Sequence, residues 1–284
     1  MRSSLSSGSL PAITEGAFLA AAAEVFGNEA SAVNAIQVRD KPRASGLANC
    51  AREQGYYLHG YQPDSAGGNA TDAALTQEQG RQWEDTGVAV LAAIGWSVLD
   101  RQVALANDYF VSGHPDGRLW RASVPSGLIV GVEFKHLGRW GFEDILKRGF
   151  EDSKPDYVLQ AALYGHALGW DEVLWLVSSQ DASSVRSDMR INQTAKNPAV
   201  RWATGQNPKL FIHQMNLHPL YTTLIPIARK RAEWLSANKD ALIEREYEPT
   251  AGKFPCTYCP YLNRCLADGK GGAVAPKLPF GVAE

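Results

Sequence analysis

The four cysteines constrain the fold of this chain more than any other feature of its sequence. Cys256, Cys259 and Cys265 fall within ten residues of one another, and Cys50 lies far upstream. In a reducing compartment such clustering is typical of metal or cluster ligands rather than of disulfides. Four thiolates drawn from both ends of a domain would form a closed site for a soft metal and would staple those ends together. Zinc and iron both accept such a ligand set.

The composition excludes few classes of function. The 284 residues are 45% apolar, which is within the range of globular domains and allows one large core. The formal net charge of -2 argues against a generally basic coat for nucleic acid, but it permits a local basic groove. No apolar run reaches the roughly 18 residues that a membrane span needs. We therefore expect a soluble, cytoplasmic protein with no membrane partner.

Hydrophobic periodicity and turn signals predict an α/β fold, with a mixed central sheet flanked by helices. No internal repeat is present, and we expect one elaborated domain. The Ser-rich start and the Gly-rich end of the chain are typical of flexible termini. The predicted organisation is a flexible N-terminus at 1–14, a single domain at 15–265 with its core at about 75–240, a stapled region at 45–60 plus 250–265, and a flexible tail at 266–284.

Several elements have clear sequence signals. A helix is predicted at 155–168, with Ser153 as its cap and Gly169 at its end. The apolar run LIVGVEFKH predicts the buried second strand of a hairpin, and EVLWLVSS predicts another buried strand. The remaining expectations are a helix that starts at Ser45, a helix at 75–95, strands at 96–105 and 209–217, a long loop at 180–208 and one long helix at 222–244.

Two acidic residues and a lysine form the candidate catalytic set. Asp116 follows an apolar segment in a GHPDG turn, and Glu133 lies in the next strand, on the same face as Lys135. Hydrolysis of a phosphodiester needs converging carboxylates that hold a divalent metal, together with a group that serves the attacking water. A buried strand carries both charges inward only if something compensates them. The alternative is a salt bridge at the surface edge of a strand.

A helix downstream and a helix upstream offer further candidates. Gln160 and Tyr164 are four residues apart, so they share one helix face and would touch substrate or brace the acids. Glu84 in the GRQWE segment would add a carboxylate, directly or through a water molecule. The alternatives are an ordinary half-buried helix for the first pair and a surface glutamate for the second.

Together these motifs resemble the RecB-like branch of the PD-(D/E)XK nucleases, and specifically its iron-sulfur members, which include the CRISPR-associated exonucleases and the AddB nuclease domain. The resemblance spans about residues 45–265. SGLANCAREQGYY is similar to the N-terminal cluster ligand with its following Arg and Tyr, here Cys50, Arg52 and Tyr56. GHPDG, VEFKH, QAALY and CTYCPYLNRC are similar, in this order, to the metal-binding Asp motif, the E-x-K strand, the Q-x-x-x-Y helix and the C-terminal cysteine triplet.

The resemblance implies a restriction-endonuclease-like fold and a role for each matched residue. Asp116 and Glu133 would hold Mg or Mn with the backbone carbonyl of Phe134, and Lys135 would serve the water. Gln160 and Tyr164 would line the DNA path. Many relatives have a His where this chain offers Glu84, so Glu84 departs from the common pattern as a catalytic and metal-binding candidate. The resemblance also favours a [4Fe-4S] cluster over zinc at Cys50, Cys256, Cys259 and Cys265.

The activity implied by the resemblance is metal-dependent DNA exonuclease activity, with a preference for single-stranded ends. Its setting would be DNA recombination, DNA repair or phage DNA metabolism, in a bacterial cell or a phage-infected host. A homo-oligomer and a recombination or helicase partner both fit, and the sequence specifies no cleavage polarity. The alternatives are a structure-specific endonuclease, a catalytically weak DNA-binding module of a recombination complex and a zinc-stapled structural protein.

Overall fold

The structure, a computed structural model, describes residues 39–64, 70–122, 127–179, 210–248, 256 and 259–279, without the side chains of 70–75. The terminus predicted at 1–14 and the loop predicted at 180–208 lie outside these residues. In the described part of the chain, no helix is long and apolar enough to cross a membrane.

A five-stranded mixed sheet lies at the centre of the domain. Its strands are β1 (Ser97–Leu99), β2 (Gly117–Trp120), β3 (Val130–Leu137), β4 (Glu172–Ser179) and β5 (Leu210–Asn216). They are hydrogen-bonded in the order β1-β2-β3-β4-β5, with β3 and β4 parallel and the other neighbours antiparallel. The predicted α/β class with a mixed sheet is therefore confirmed, and the predicted central strand is β3.

Helices cover both faces of this sheet. On one face, a long helix packs on Val132 and Phe134 of β3 and on Leu176 of β4. On the other face, shorter helices and Trp175 of β4 form the larger core. The described helices are α1 (Ala51–His59), α2 (Ala70–Ala93), α3 (Arg139–Arg148), α4 (Phe150–Ser153), α5 (Pro155–Leu168), α6 (His218–Thr223), α7 (Ile225–Ala237) and α8 (Leu262–Ala267).

Helix α2 approaches the sheet closely because of a small residue. A Cβ added to Gly87 would lie 2.3 Å from Cε1 of Phe134, so only glycine lets the helix and the strand meet there. One helical turn earlier, the indole N–H of Trp83 donates to the backbone carbonyl of Leu176 at 3.1 Å. These contacts fix the height of α2 over the strand that carries Glu133.

The helix predicted at 155–168 and the strand predicted from EVLWLVSS have the predicted bounds. Helix α5 begins at Pro155 and ends at Leu168, and its C-cap Gly169 has a φ of 71° in the left-handed region, where glycine is favoured. Strand β4 spans the predicted EVLWLVSS run. One detail was wrong: Ser153 does not cap α5, because its hydroxyl donates to the carbonyl of Asp144 instead.

Four other predicted boundaries were wrong. The helix expected at 75–95 spans Ala70–Ala93. The helix expected from Ser45 begins at Ala51, because Cys50 has an extended ψ of 131° and separates it from a short 3₁₀ turn. The strand expected at 96–105 ends at Leu99, where Asp100 and Gln102 adopt positive φ angles of 52° and 53°. The long helix expected at 222–244 is divided into α6 and α7, with Pro226 in the first turn of α7.

The segment after Leu266, which the composition predicts to be flexible, packs against the domain as far as it is described. The buried guanidinium of Arg52 donates to the carbonyls of Gly269, at 2.5 Å, and Lys270. The buried guanidinium of Arg231 donates to the carbonyl of Pro276 at 2.7 Å. Buried guanidinium groups must have acceptors, and the backbone of this segment supplies them, which composition alone does not reveal.

Candidate functional site

Strand β3 directs Glu133 and Lys135 to the face of the sheet that α5 covers. The ammonium Nζ of Lys135 lies 2.7 Å from Oε2 of Glu133. The side chain of Glu133 is only 1% exposed, and its other oxygen, Oε1, has no hydrogen-bond partner among the described residues. Burial raises the pKa of Glu133 to about 7, against the attraction of Lys135. Burial also disfavours the charge of Lys135, yet the carboxylates of Glu133 and Asp116 outweigh it and raise the pKa of the lysine.

Asp116 lies immediately before β2, beside the middle of β3. Its Oδ2 accepts the backbone N–H of Phe134 at 2.7 Å. This N–H lies just beyond the paired stretch of β2 and β3, so the carboxylate continues the ladder where the strand stops. Burial raises the pKa of Asp116, although Lys135 and the N–H of Phe134 lower it. Gly117, with a φ of 151°, permits this turn, because an added Cβ would lie 2.9 Å from the carbonyl of Leu99.

Glu84 reaches the same region from α2. Its Oε1 lies 2.9 Å from a guanidinium nitrogen of Arg101. The side-chain amide of Gln102 donates to Oδ1 of Asp116 at 3.2 Å and lies 3.4 Å from both oxygens of Glu84. The structure thus brings Glu84 next to Asp116, with Gln102 between them. Sequence reasoning missed Gln102, which follows a short strand and belongs to no recognisable motif.

Gln160 and Tyr164 lie beneath the acids, with little exposure to solvent. The amide of Gln160 donates to the hydroxyl of Tyr164 at 3.2 Å, and both side chains are buried. Burial, and then the charge of Glu133, raise the pKa of Tyr164 to about 12. A Cβ added to Gly113 would lie 2.6 Å from Cε1 of this phenol, so Gly113 lets the ring approach the loop that leads to Asp116. The burial of both side chains favours a packing role beneath the acids over direct contact with substrate.

Two residues at the start of α5 also belong to the site and were missed. The ring of Tyr157 lies under Lys135, with Nζ 5.2 Å from the ring centre. The ammonium of Lys154 lies 6.0 Å from the same ring centre. Their signal was available, because Tyr157 lies one turn before Gln160 on α5 and Lys154, the N-cap residue of that helix, lies nearly two turns before it.

These residues fit a divalent cation. Magnesium and manganese prefer carboxylate and carbonyl oxygens, and two carboxylates converge here beside a backbone strand. The partnerless Oε1 of Glu133 is an unsatisfied acceptor in a nearly dry place, which a cation would satisfy. Nevertheless, across the described ranges no three His, Cys, Asp or Glu side chains stand in a preformed metal-binding arrangement. Carboxylate side chains would therefore adjust on binding.

The four cysteine side chains line a single cavity. The cavity, of about 30 Å³, lies between α1 and α8, and Arg52 and Arg245 share its wall. All four thiols are free. Burial raises the pKa of Cys259 to about 12 and also raises that of Cys50. Four thiols on one cavity fit the chemistry of a metal–thiolate centre, whose ligands lose their protons on binding. Glu53 shares the cavity wall with the two guanidinium groups, and in the described ranges no three of the thiols are already arranged as metal ligands.

Comparisons with known proteins give little guidance. No family profile matches the chain, and no curated protein matches it significantly. Among solved structures, the chain is similar to the crystal structure of an alkaline exonuclease from Laribacter hongkongensis, at 14% sequence identity and a TM-score of 0.45. The match covers 75% of this chain and 92% of that one. So weak a likeness leaves the function to be argued from the residues themselves.

Proposed function

We propose that this chain is a metal-dependent DNA exonuclease of the PD-(D/E)XK type, acting on single-stranded ends in DNA recombination, repair or phage DNA metabolism. The observation that carries the proposal is the buried carboxylate of Glu133. It lies beside Asp116 and Lys135, and one of its oxygens has no partner in the described structure. In the alternative for an E-x-K sequence, an ion pair at the surface, both side chains would be exposed, whereas here Glu133 is buried and Lys135 is only partly exposed.

Each residue has a separate task in this proposal. Asp116, Glu133 and the carbonyl of Phe134 would hold Mg or Mn, with Glu84 joining directly or through water. When bound, the cation neutralises charge on the phosphate and lowers the pKa of an attacking water. Lys135 has a raised pKa and is therefore a hydrogen-bond donor, so it would hold the water or a phosphate oxygen in place.

We also propose that the four cysteines hold a [4Fe-4S] cluster, with zinc as the alternative at the same ligands. The support is that all four thiols line one cavity, whose wall also contains Arg52, Arg245 and Glu53. Chain purified without oxygen should contain about four iron and four sulfide per molecule, as expected for a four-cysteine cluster. Asp116→Asn is the matched control, since it should lose nuclease activity and keep its iron. Stoichiometric zinc without sulfide would contradict the cluster.

The nuclease is tested by digestion of linear and closed circular single-stranded DNA with Mg or Mn. The linear DNA carries a label at one end, and the wild type is compared with Lys135→Ala. Lys277→Ala, which changes an exposed lysine in the C-terminal segment, is the control for loss of positive charge. We expect metal-dependent loss of linear DNA that is abolished by Lys135→Ala and unaffected by Lys277→Ala.

Other outcomes point to the alternatives. Cutting of circles that have no ends would identify an endonuclease that uses the same site. DNA binding without cleavage by cluster-replete protein would identify a binding module with a vestigial site.

A further inference from the structure

Trp140 is the most exposed large apolar side chain in the described part of the molecule, at 80%. It lies in the first turn of α3, directly after the strand that carries Glu133 and Lys135. The guanidinium carbon of Arg139 is 5.8 Å from the centre of one of its rings. Single exposed apolar residues are common. The meaning of this one depends on its surroundings.

Two ammonium groups lie near the start of α3, on the side of the candidate site. The ammonium groups of Lys135 and Lys154 lie 5.2 Å and 6.0 Å from the ring centre of Tyr157. On its other side, Nζ of Lys154 would be only 3.3 Å from a Cβ placed on Gly141, the neighbour of Trp140. Lys154 therefore lies close both to the ring of Tyr157, which contacts Lys135, and to the residue that follows Trp140 in α3.

The carboxylates of Asp144 and Asp156 lie near enough to attract the charge of Lys154, but neither forms an ion pair with it. Lys135 forms an ion pair with Glu133, and Arg139 forms one with Glu143, each at 2.7 Å. Within the described ranges, Lys154 makes no ion pair at 4 Å or less with any carboxylate. An ammonium next to the helical turn that carries an exposed aromatic side chain matches the alternation of phosphate and base along a nucleic acid strand.

We propose that Trp140 stacks on a base of single-stranded DNA and that Lys154 binds the phosphate between this base and the catalytic acids. This inference rests on the proposed nuclease function and specifies its substrate. A stacking platform needs a base with an open face, and bases inside a duplex have their faces covered by their neighbours. The pair therefore selects single-stranded over double-stranded DNA.

The test measures binding without catalysis, by fluorescence anisotropy of a labelled oligothymidylate in EDTA. One base stacked on an aromatic ring contributes about 1–3 kcal/mol, so Trp140→Ala should raise Kd roughly 5- to 150-fold. Trp140→Phe should keep most of the affinity. Trp120→Ala is the matched control, since Trp120 is 51% exposed at the end of β2. Duplex DNA of equal length should bind more weakly and should show little effect of Trp140→Ala.

A second measurement separates stacking from a structural effect of the substitution. Oligonucleotides with one abasic position are compared along the strand. At one position, loss of the base should weaken wild-type binding and should leave Trp140→Ala unchanged. Lys154→Ala should reduce the slope of log Kd against log salt by about 0.7, as expected for one lost phosphate contact on a single strand.

The outcomes distinguish this inference from the function on which it rests. Metal-dependent cleavage by the wild type, with a Kd of Trp140→Ala within twofold of the wild type, would overturn the stacking site and leave the nuclease. An abasic profile that is identical in wild type and variant would do the same. A Trp140-dependent Kd in a wild type that never cleaves would overturn the nuclease and leave the single-strand contact.

Discussion

Replacing Lys135 by methionine should make the stability of the protein fall with pH above neutrality. The substitution removes the ammonium that lies 2.7 Å from Oε2 of Glu133, and Oε1 already has no partner in the described structure. Burial raises the pKa of Glu133 from its ordinary 4.5 to about 7 even with Lys135 present. Without the lysine, the same burial should raise it further.

The sign follows from proton binding. A carboxyl whose pKa is higher in the folded protein holds its proton longer there than in the unfolded chain. Folding is therefore favoured below the unfolded pKa, and this advantage is lost as pH rises towards the folded pKa. In the wild type the loss ends near pH 7. In Lys135→Met it should continue above pH 7 at about 1.4 kcal/mol per pH unit, or about 2 kcal/mol between pH 7 and 8.5.

The assay is urea unfolding followed by tryptophan fluorescence, from pH 6 to 8.5. EDTA is present because a bound metal would replace the lost ammonium. The free energies of unfolding of variant and wild type are subtracted at each pH, so that other titrations cancel. The double variant Glu133→Gln/Lys135→Met lacks the acid and should run parallel to the wild type. A constant difference between Lys135→Met and wild type from pH 7 to 8.5 would refute the reasoning.

Three further predictions concern the buried Tyr164, the buried Arg231 and the divalent metal. In Gly113→Ala the new Cβ would displace the ring of Tyr164, so kcat should fall about 10- to 100-fold. Gly80→Ala is the control, because no atom lies within 4 Å of its new Cβ. It should keep activity and raise the free energy of unfolding by about 1 kcal/mol. Arg231→Met leaves one carboxylate and three backbone carbonyls without their donor, so it should lower the free energy of unfolding in urea by about 3–5 kcal/mol. Lys230→Met changes an exposed side chain and should leave that free energy almost unchanged. Calorimetric titrations with Mn²⁺ near pH 7, in two buffers with different ionisation enthalpies, should show that binding releases a proton. The proton would come from Glu133, whose pKa is raised to about 7. Identical heats of binding in the two buffers, after correction for dilution, would contradict this.

Sequence patterns predicted the elements whose signals are local. The apolar runs of β3 and β4 and the proline and glycine at the ends of α5 act within a few residues of one another, so they specify bounds directly. The E-x-K spacing placed Glu133 and Lys135 on one face for the same reason. Asp116 could be predicted beside them because a hairpin joins its turn to that strand.

The rest depends on contacts between residues that are distant in sequence. Gln102 lies between two carboxylates only because α2 and the turn before β2 meet over the sheet. The hydrogen bonds of Arg231 to Leu47 and Pro276 join three segments that share no pattern. The tail was predicted to be flexible from its glycines, yet its carbonyls are acceptors for buried guanidinium groups. Composition describes only the side chains of a segment, whereas these hydrogen bonds are accepted by its backbone carbonyls.

The hydrogen bonds of Arg52 form late in biosynthesis, because their acceptors are near the C-terminus. Its acceptors Gly269 and Lys270 follow it by 217 and 218 residues. At about 5–20 residues per second on the ribosome, roughly 10–45 s separate the synthesis of the guanidinium from that of its last acceptor. During that interval Arg52 lacks these two acceptors, so the cysteine cavity that it lines reaches its final form only after the C-terminal segment has been made.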